Sequence, residues 1–260
     1  MSAHSPNILA LDFDGVICDG LAEYFATTKK TYEQIWSGSQ VNSIDNLASS
    51  FYRLRPVIET GWEMPILLRA LVLGIEEDKI LNNWLAIANE IINSEGLNSK
   101  EVSKQLDTVR DNWIDADLEG WLQLHRFYPG IIGRIQQILD SSSQLYIVTT
   151  KEGRFVQQLL QQQGIELSSQ QIIGKEYKRP KYQTLKLLKD STTLEELSIW
   201  FVEDRFKTLQ LVQQQPDPQS VQLFLADWGY NKESEREDAR YDPNIQLLSL
   251  EQFQQDFTAW

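Results

Sequence analysis

The feature that most constrains this chain is a series of short apolar runs that each stop at an acidic or hydroxyl residue. Ile8 to Leu11 runs into Asp12, Leu145 to Val148 into Thr149-Thr150, Ile199 to Val202 into Glu203-Asp204, and Val221 to Ala226 into Asp227. Runs of this kind read as buried strands. Helical periodicity fills the gaps after Tyr128. One helix is predicted from about Ile131 to Leu139, entered by Pro129, and another from about Gly153 to Gln163, closed by Gly164. Two more follow at Tyr182 to Lys189 and Phe206 to Gln214. Short strands are predicted at Ile172-Ile173 and Gln246 to Leu248, the last of them before a helix at about Leu250 to Phe257. Strands alternating with helices of these lengths predict a Rossmann-like α/β core, a parallel sheet with helices on both faces. Such sheets hold ligands beyond the carboxyl ends of their strands.

Between the first strand and that alternation the rhythm differs. Gly20 to Trp36, Asp45 to Leu54, Met64 to Leu73, Glu77 to Asn93 and Ser99 to Trp113 all repeat apolar residues every three to four positions. Pro56, Gly61, Gly74, Gly96 and Asn98 punctuate them. The expectation is a core domain of residues 1–19 and 126–260, with an all-helical domain of residues 20–125 inserted after the first strand. A total of 260 residues suits one core with a large insert.

Composition narrows the function classes. Hydrophobic residues at 42%, with eight Trp, nine Tyr and ten Phe, supply a real core. Lys and Arg number 24 against 37 Asp and Glu, a net charge of −13 that repels nucleic-acid backbones and anionic lipid. The longest apolar stretch, Pro65 to Ile75, is too short for a bilayer and carries Arg69. The single cysteine, Cys18, forms no intrachain disulfide, and Met1 to Asn7 is short and polar without signal-peptide architecture. Both point to the cytoplasm as the expected location.

The chemistry concentrates in Asp12-Phe13-Asp14-Gly15-Val16. Two carboxylates two residues apart at a strand end interact and titrate as a pair. One can stay ionised and attack phosphorus while the other carries a proton for the leaving oxygen. Gly15 lets the backbone turn and brings amide groups near a bound anion.

This segment resembles the first motif of the haloacid-dehalogenase-like hydrolase superfamily, Asp-x-Asp-x-Thr or Val after a hydrophobic strand. The resemblance implies that Asp12 is the nucleophile and a magnesium ligand. It makes Asp14 the general acid/base, with a backbone carbonyl on the metal. Leu145 to Lys151 is similar to the second motif, so Thr149 would hydrogen-bond a phosphoryl oxygen, with Thr150 beside it. The third motif is a lysine at a helix start. Gly174-Lys175-Glu176-Tyr177-Lys178-Arg179-Pro180-Lys181-Tyr182 departs from the Lys-Pro-x-Pro of phosphoglycolate-phosphatase-like members, and leaves Lys181 first and Lys178 second as candidates. Ile199 to Asp204 supplies the acidic fourth motif, with Asp204 the implied metal ligand and Glu203, standing where relatives carry Gly, a further candidate metal ligand. Thr208 occupies the position of a further acid in relatives. Val221 to Tyr230, with Trp228-Gly229-Tyr230, also looks like the phosphoglycolate-phosphatase-like branch.

The resemblance implies a Mg2+-dependent phosphomonoester hydrolase that acts on a small phosphorylated metabolite through an aspartyl phosphate, with residues 20–125 as a cap. Retention of Asp14 favours phosphate esters over carbon–halogen bonds, because an alkoxide leaving group needs a proton and a halide does not. Arg53, Arg55, Glu59, Trp62 and Glu63, around Pro56 and Gly61, are the candidates for substrate selection. The alternatives are a phosphomutase or phosphonate hydrolase, for which Lys29 and Lys30 are the cap lysines to inspect, and a catalytically weak regulatory protein. Cys18 reads as a packed thiol, and neither His4 nor His125 receives a role.

Overall fold

The computed structural model describes residues 5–37, 41–192, 197–216 and 221–260. The chain begins with strands β1 (Ile8–Leu11) and β2 (Cys18–Asp19). It continues through six helices: α1 (Leu21–Ile35), α2 (Ala48–Leu54), α3 (Glu63–Val72), α4 (Glu77–Ser94), α5 (Ser99–Ala116) and α6 (Leu118–Leu122). The alternating part follows as β3 (Arg126–Phe127), α7 (Ile131–Leu139), β4 (Gln144–Val148), α8 (Gly153–Gln162), β5 (Ile172–Ile173) and α9 (Lys181–Asp190). It closes with β6 (Ile199–Glu203), α10 (Phe206–Gln213), β7 (Val221–Ala226), α11 (Glu233–Tyr241), β8 (Ile245–Leu248) and α12 (Leu250–Phe253). Two compact units result, residues 1–19 with 126–260 and residues 20–125.

In the first unit six strands form one sheet in the order β5-β4-β1-β6-β7-β8, with every neighbouring pair parallel. All four residues of β1 are buried, as are all five of β6. These central strands therefore read as continuous apolar runs rather than alternating ones. Ile8, Ala10, Ile199 and Phe201 pack with Leu185, Leu188, Phe206 and Leu209 of α9 and α10. A separate aromatic cluster seals β6 and β7, where Trp200 and Phe224 meet Trp260, which also meets Phe253 and, edge to face, Phe257.

Four elements differ from the sequence expectation, one of them the last helix, which ends at Phe253 instead of about Phe257. The pair β2–β3 forms a two-stranded antiparallel ribbon at Cys18↔Phe127 and Asp19↔Arg126. Two residues per strand are too few to leave a periodic signal. Helix α11 buries only Ala239, so its sequence carries no apolar stripe. The segment expected as one helix from Asp45 begins instead as a 3-10 turn, Val41–Leu47, before α2.

In the second unit α1 packs against α2, α3 and α5, and α3 against α4. Tyr32, Phe51, Leu54, Ile66, Leu67, Ile80 and Trp121 lie fully inside. Asn98 caps α5 by accepting hydrogen bonds from the backbone amides of Lys100 and Glu101. Among the described residues no helix is long and apolar enough to cross a membrane.

Candidate active site

Strand register assembles the acidic residues. Leu11 of β1 lies opposite Ile147 of β4 and Val202 of β6. One residue further, the chain leaves the sheet at Asp12, beside Glu203 of β6, and the Asp12 amide still donates to the Val202 carbonyl at 2.9 Å. Thr149 follows β4 and Asp204 follows β6. All four side chains are buried, Asp12 at 6% and Glu203 at 0% exposure. Carboxylate oxygens of Asp12, Glu203 and Asp204 lie within 4.8 Å of one another.

Lys181 is the cation placed among them. It is the first residue of α9, after Pro180, whose extended backbone sets the helix entry. Its Nζ lies 2.8 Å from Asp12 Oδ1 and 2.6 Å from Glu203 Oε2. Glu203 Oε1 accepts hydrogen bonds from the Asp204 amide at 3.1 Å and the Arg205 amide at 3.0 Å. Both oxygens of Glu203 are thus engaged by the protein. Asp204 Oδ2 accepts from the Tyr230 amide at 2.7 Å, and its backbone carbonyl accepts from Asn231 Nδ2 at 3.1 Å.

Burial pushes the Asp12 carboxyl up to about 7; the Lys181 charge opposes the shift and the Glu203 charge adds to it. Glu203 is likewise pushed up to about 7 by burial, against the pull of Lys181. Asp204 is raised by burial and by the neighbouring Asp12 charge. Burial works against the Lys181 ammonium, but Asp12 and Glu203 outweigh it and hold the lysine pKa above its ordinary value. One ammonium therefore faces more negative charge than it balances.

That imbalance is what a divalent cation relieves. Asp12 Oδ1 is buried 2.8 Å from Lys181 Nζ, an ammonium that it shares with Glu203 Oε2. The Asp12 and Asp204 carboxylates are hard oxygen donors of the kind that Mg2+ takes, with further positions left to water or phosphate oxygens. Asp12 and Asp204 are the residues that would hold the ion. Glu203, with both oxygens occupied, anchors Lys181 beside them.

The remaining expected residues fall in different places. Thr149 Oγ1 accepts from the Lys151 amide at 3.2 Å, which leaves its own hydroxyl proton to donate elsewhere. Gly15 turns at φ +91°, and a side chain there would collide with Asp204 Oδ2. Thr150 is exposed at the sheet edge, and Lys178 is exposed in a left-handed turn at φ 50°, so α9 brings Lys181 and not Lys178 to the acids. In the helical unit, Arg53 forms an exposed pair with Glu77 at 2.6 Å. Arg55 donates to the Ile58 carbonyl and stacks over Tyr24. Glu63 Oε2 collects the amides of Glu59 and Thr60, and Trp62 is half-buried beside it. Lys29 pairs with Asp45 at 2.7 Å, and Lys30 lies over the Trp113 ring. Both lysines are thus committed to partners within their own unit. Burial pushes the Cys18 thiol up, which keeps it in the unreactive form. His125 packs against Trp121, and His4 lies outside the described residues.

Two groups escaped the sequence reading. Asn231 is buried and ties the carbonyls of Asp204 and Ala226 together. Lys151 is half-buried and turns inward, its Nζ 3.2 Å from Asp14 Oδ1. The loop position after Thr149-Thr150 gave no sign that this lysine turns inward.

Solved structures share this fold across nearly the whole chain. A Clostridium difficile protein bearing a phosphatase name matches with a TM-score of 0.62 at 12% identity, covering 95% of this chain and 96% of that one. A Lactobacillus delbrueckii subsp. bulgaricus protein bearing a phosphoglycolate phosphatase name matches with a TM-score of 0.58 at 12% identity, covering 96% and 98%. A haloacid dehalogenase-like family hydrolase from Streptococcus pneumoniae matches with a TM-score of 0.57 at 14% identity, covering 93% of each chain. The chain therefore has the haloacid dehalogenase-like fold. No protein-family model matches its sequence, and no curated protein sequence matches it.

Proposed function

We propose that the protein is a Mg2+-dependent hydrolase of a small phosphate monoester, with Asp12 as the nucleophile. The observation that carries this reading is the Asp12 carboxylate, buried at a strand end against Lys181, with Asp14 two residues on and Thr149 and Asp204 at the neighbouring strand ends. A structural ion pair needs none of the last three. The phosphatase and hydrolase names of the similar structures support the same reaction class.

In the first step an Asp12 oxygen forms a bond to phosphorus as the bond to the ester oxygen breaks, and Asp14 delivers a proton to the departing alcohol. In the second, Asp14 takes a proton from water, whose oxygen attacks the aspartyl phosphate and releases inorganic phosphate. Lys181 and the Thr149 hydroxyl stabilise charge on the non-bridging oxygens. A bound Mg2+ would supply further charge neutralisation there. Residues 20–125 take the role of the substrate-selecting cap in this reading, with Arg53 and Arg55 as its candidate contacts, and the protein acts in the cytoplasm.

The test is turnover of 4-nitrophenyl phosphate and a panel of small phosphate esters, with Mg2+ and with chelator, beside Asp12→Asn. Mg2+-dependent turnover that falls by about four orders of magnitude in Asp12→Asn supports the assignment. Folded protein that binds Mg2+ yet hydrolyses no ester overturns it.

A further inference from the structure

Lys151 has no part in the chemistry described so far, yet its backbone is tied on both sides. Its amide donates to Thr149 Oγ1 at 3.2 Å, and its carbonyl accepts from the Lys175 amide at 2.9 Å. On the far side of the loop, the Gly153 amide donates to Glu176 Oε2 at 3.1 Å. Gly174 approaches so closely that a side chain there would meet the Lys151 carbonyl oxygen at 2.7 Å. From this fixed backbone the side chain runs inward, with 9% of it exposed, and its Nζ lies 3.2 Å from Asp14 Oδ1 and 3.5 Å from Oδ2. An ammonium that addresses both oxygens fixes the direction of the carboxylate as well as attracting it.

Resting on the phosphomonoesterase reading, we propose that Lys151 is the positioning residue of the acid/base Asp14, holding its carboxyl group in line with the ester oxygen that departs. One short loop would then serve both ends of the reaction, with the Thr149 hydroxyl on a non-bridging oxygen and the Lys151 ammonium on the proton carrier. Proton transfer requires the donor within hydrogen-bond reach of the leaving oxygen. An Asp14 side chain released from Lys151 samples other rotamers and loses that alignment.

This role has a signature that a packing role lacks. Leaving groups that depart readily as anions need little help from Asp14, whereas poor ones depend on it. The experiment measures first-turnover rates for a series of substituted phenyl phosphates, from 4-nitrophenyl to unsubstituted phenyl, on wild type, Lys151→Met and Lys151→Arg. Thermal melting serves as the folding control. In Lys151→Met we expect the phenyl phosphate rate to fall about 10²-fold and the 4-nitrophenyl rate to fall far less, so that the dependence on leaving-group basicity steepens. Lys151→Arg should restore most of the loss. Equal losses across the series, no loss, or no recovery in Lys151→Arg overturns the proposal. An inactive wild type would instead overturn the phosphatase reading itself.

Discussion

Each unit of the molecule buries a carboxylate beside a cation, and the two sites are built differently. In the helical unit, Glu23 of α1 is 1% exposed, and its Oε1 receives Thr27 Oγ1 at 2.7 Å, Arg110 Nε at 2.8 Å and Trp121 Nε1 at 3.1 Å. Three donors from α1, α5 and α6 converge on one oxygen and tie those helices together. In the α/β unit, Asp12 is nearly as buried, but it shares its one close ammonium, Lys181, with Glu203, and Asp204 stands close by as a third acid. A buried charge answered by its own fold is a staple. One left with excess like charge is waiting for something to bind.

The comparison can be broken most forcefully on the structural side. Glu23→Ala removes the close carboxylate partner of the Arg110 guanidinium, leaves it only Asp107 at 3.8 Å, and should lower stability by about 3 kcal/mol, read from denaturant midpoints. An unchanged midpoint would erase the contrast between the two sites. Next in size, Lys181→Met should lower kcat/KM for an aryl phosphate by about 10²–10³-fold, while Lys178→Met, at the exposed turn, leaves it near wild type. The reverse ranking would mean that α9 presents the wrong lysine.

The smallest effect concerns protons. In the metal-free protein Asp12 and Glu203 are raised to about 7, so the folded state holds protons that the unfolded chain has already lost. These groups therefore make the metal-free fold less stable as pH rises from the ordinary carboxylate range towards neutrality. A divalent cation needs Asp12 ionised. Its affinity, measured calorimetrically, should rise by up to about tenfold per pH unit below neutrality and level off above it. An affinity flat over that range would show that no proton leaves when the cation binds.

Much of this was legible because buried parallel strands write themselves as unbroken apolar runs. The polar residue that ends each run marks the edge where Asp12, Thr149 and Asp204 stand. What stayed hidden depended on direction. Lys178 and Lys181 are both lysines near a proline, and only the helix entry at Pro180 decides which one turns inward. Lys151 lies beyond two threonines in a stretch that reads as solvated loop, and the contacts that fix its backbone come from residues 174–176, more than twenty positions away. Asn231 is a polar residue after a Gly-Tyr turn, and nothing local distinguishes it from a surface one. Helix α11 escaped for the opposite reason, since a helix that buries one alanine has no stripe to detect.

The glycines around Asp204 carry one further consequence. Side chains built at Gly15 or Gly229 would strike the Asp204 side chain, and at Gly229 also the Gly15 carbonyl oxygen. In a saturation scan scored by survival of function, these two positions would accept almost no replacement and would rank beside the carboxylates. Mutational intolerance here records how closely three loops crowd together as much as it records reactivity. A ranking made blind to structure would promote to the catalytic list two residues that have nothing to react with.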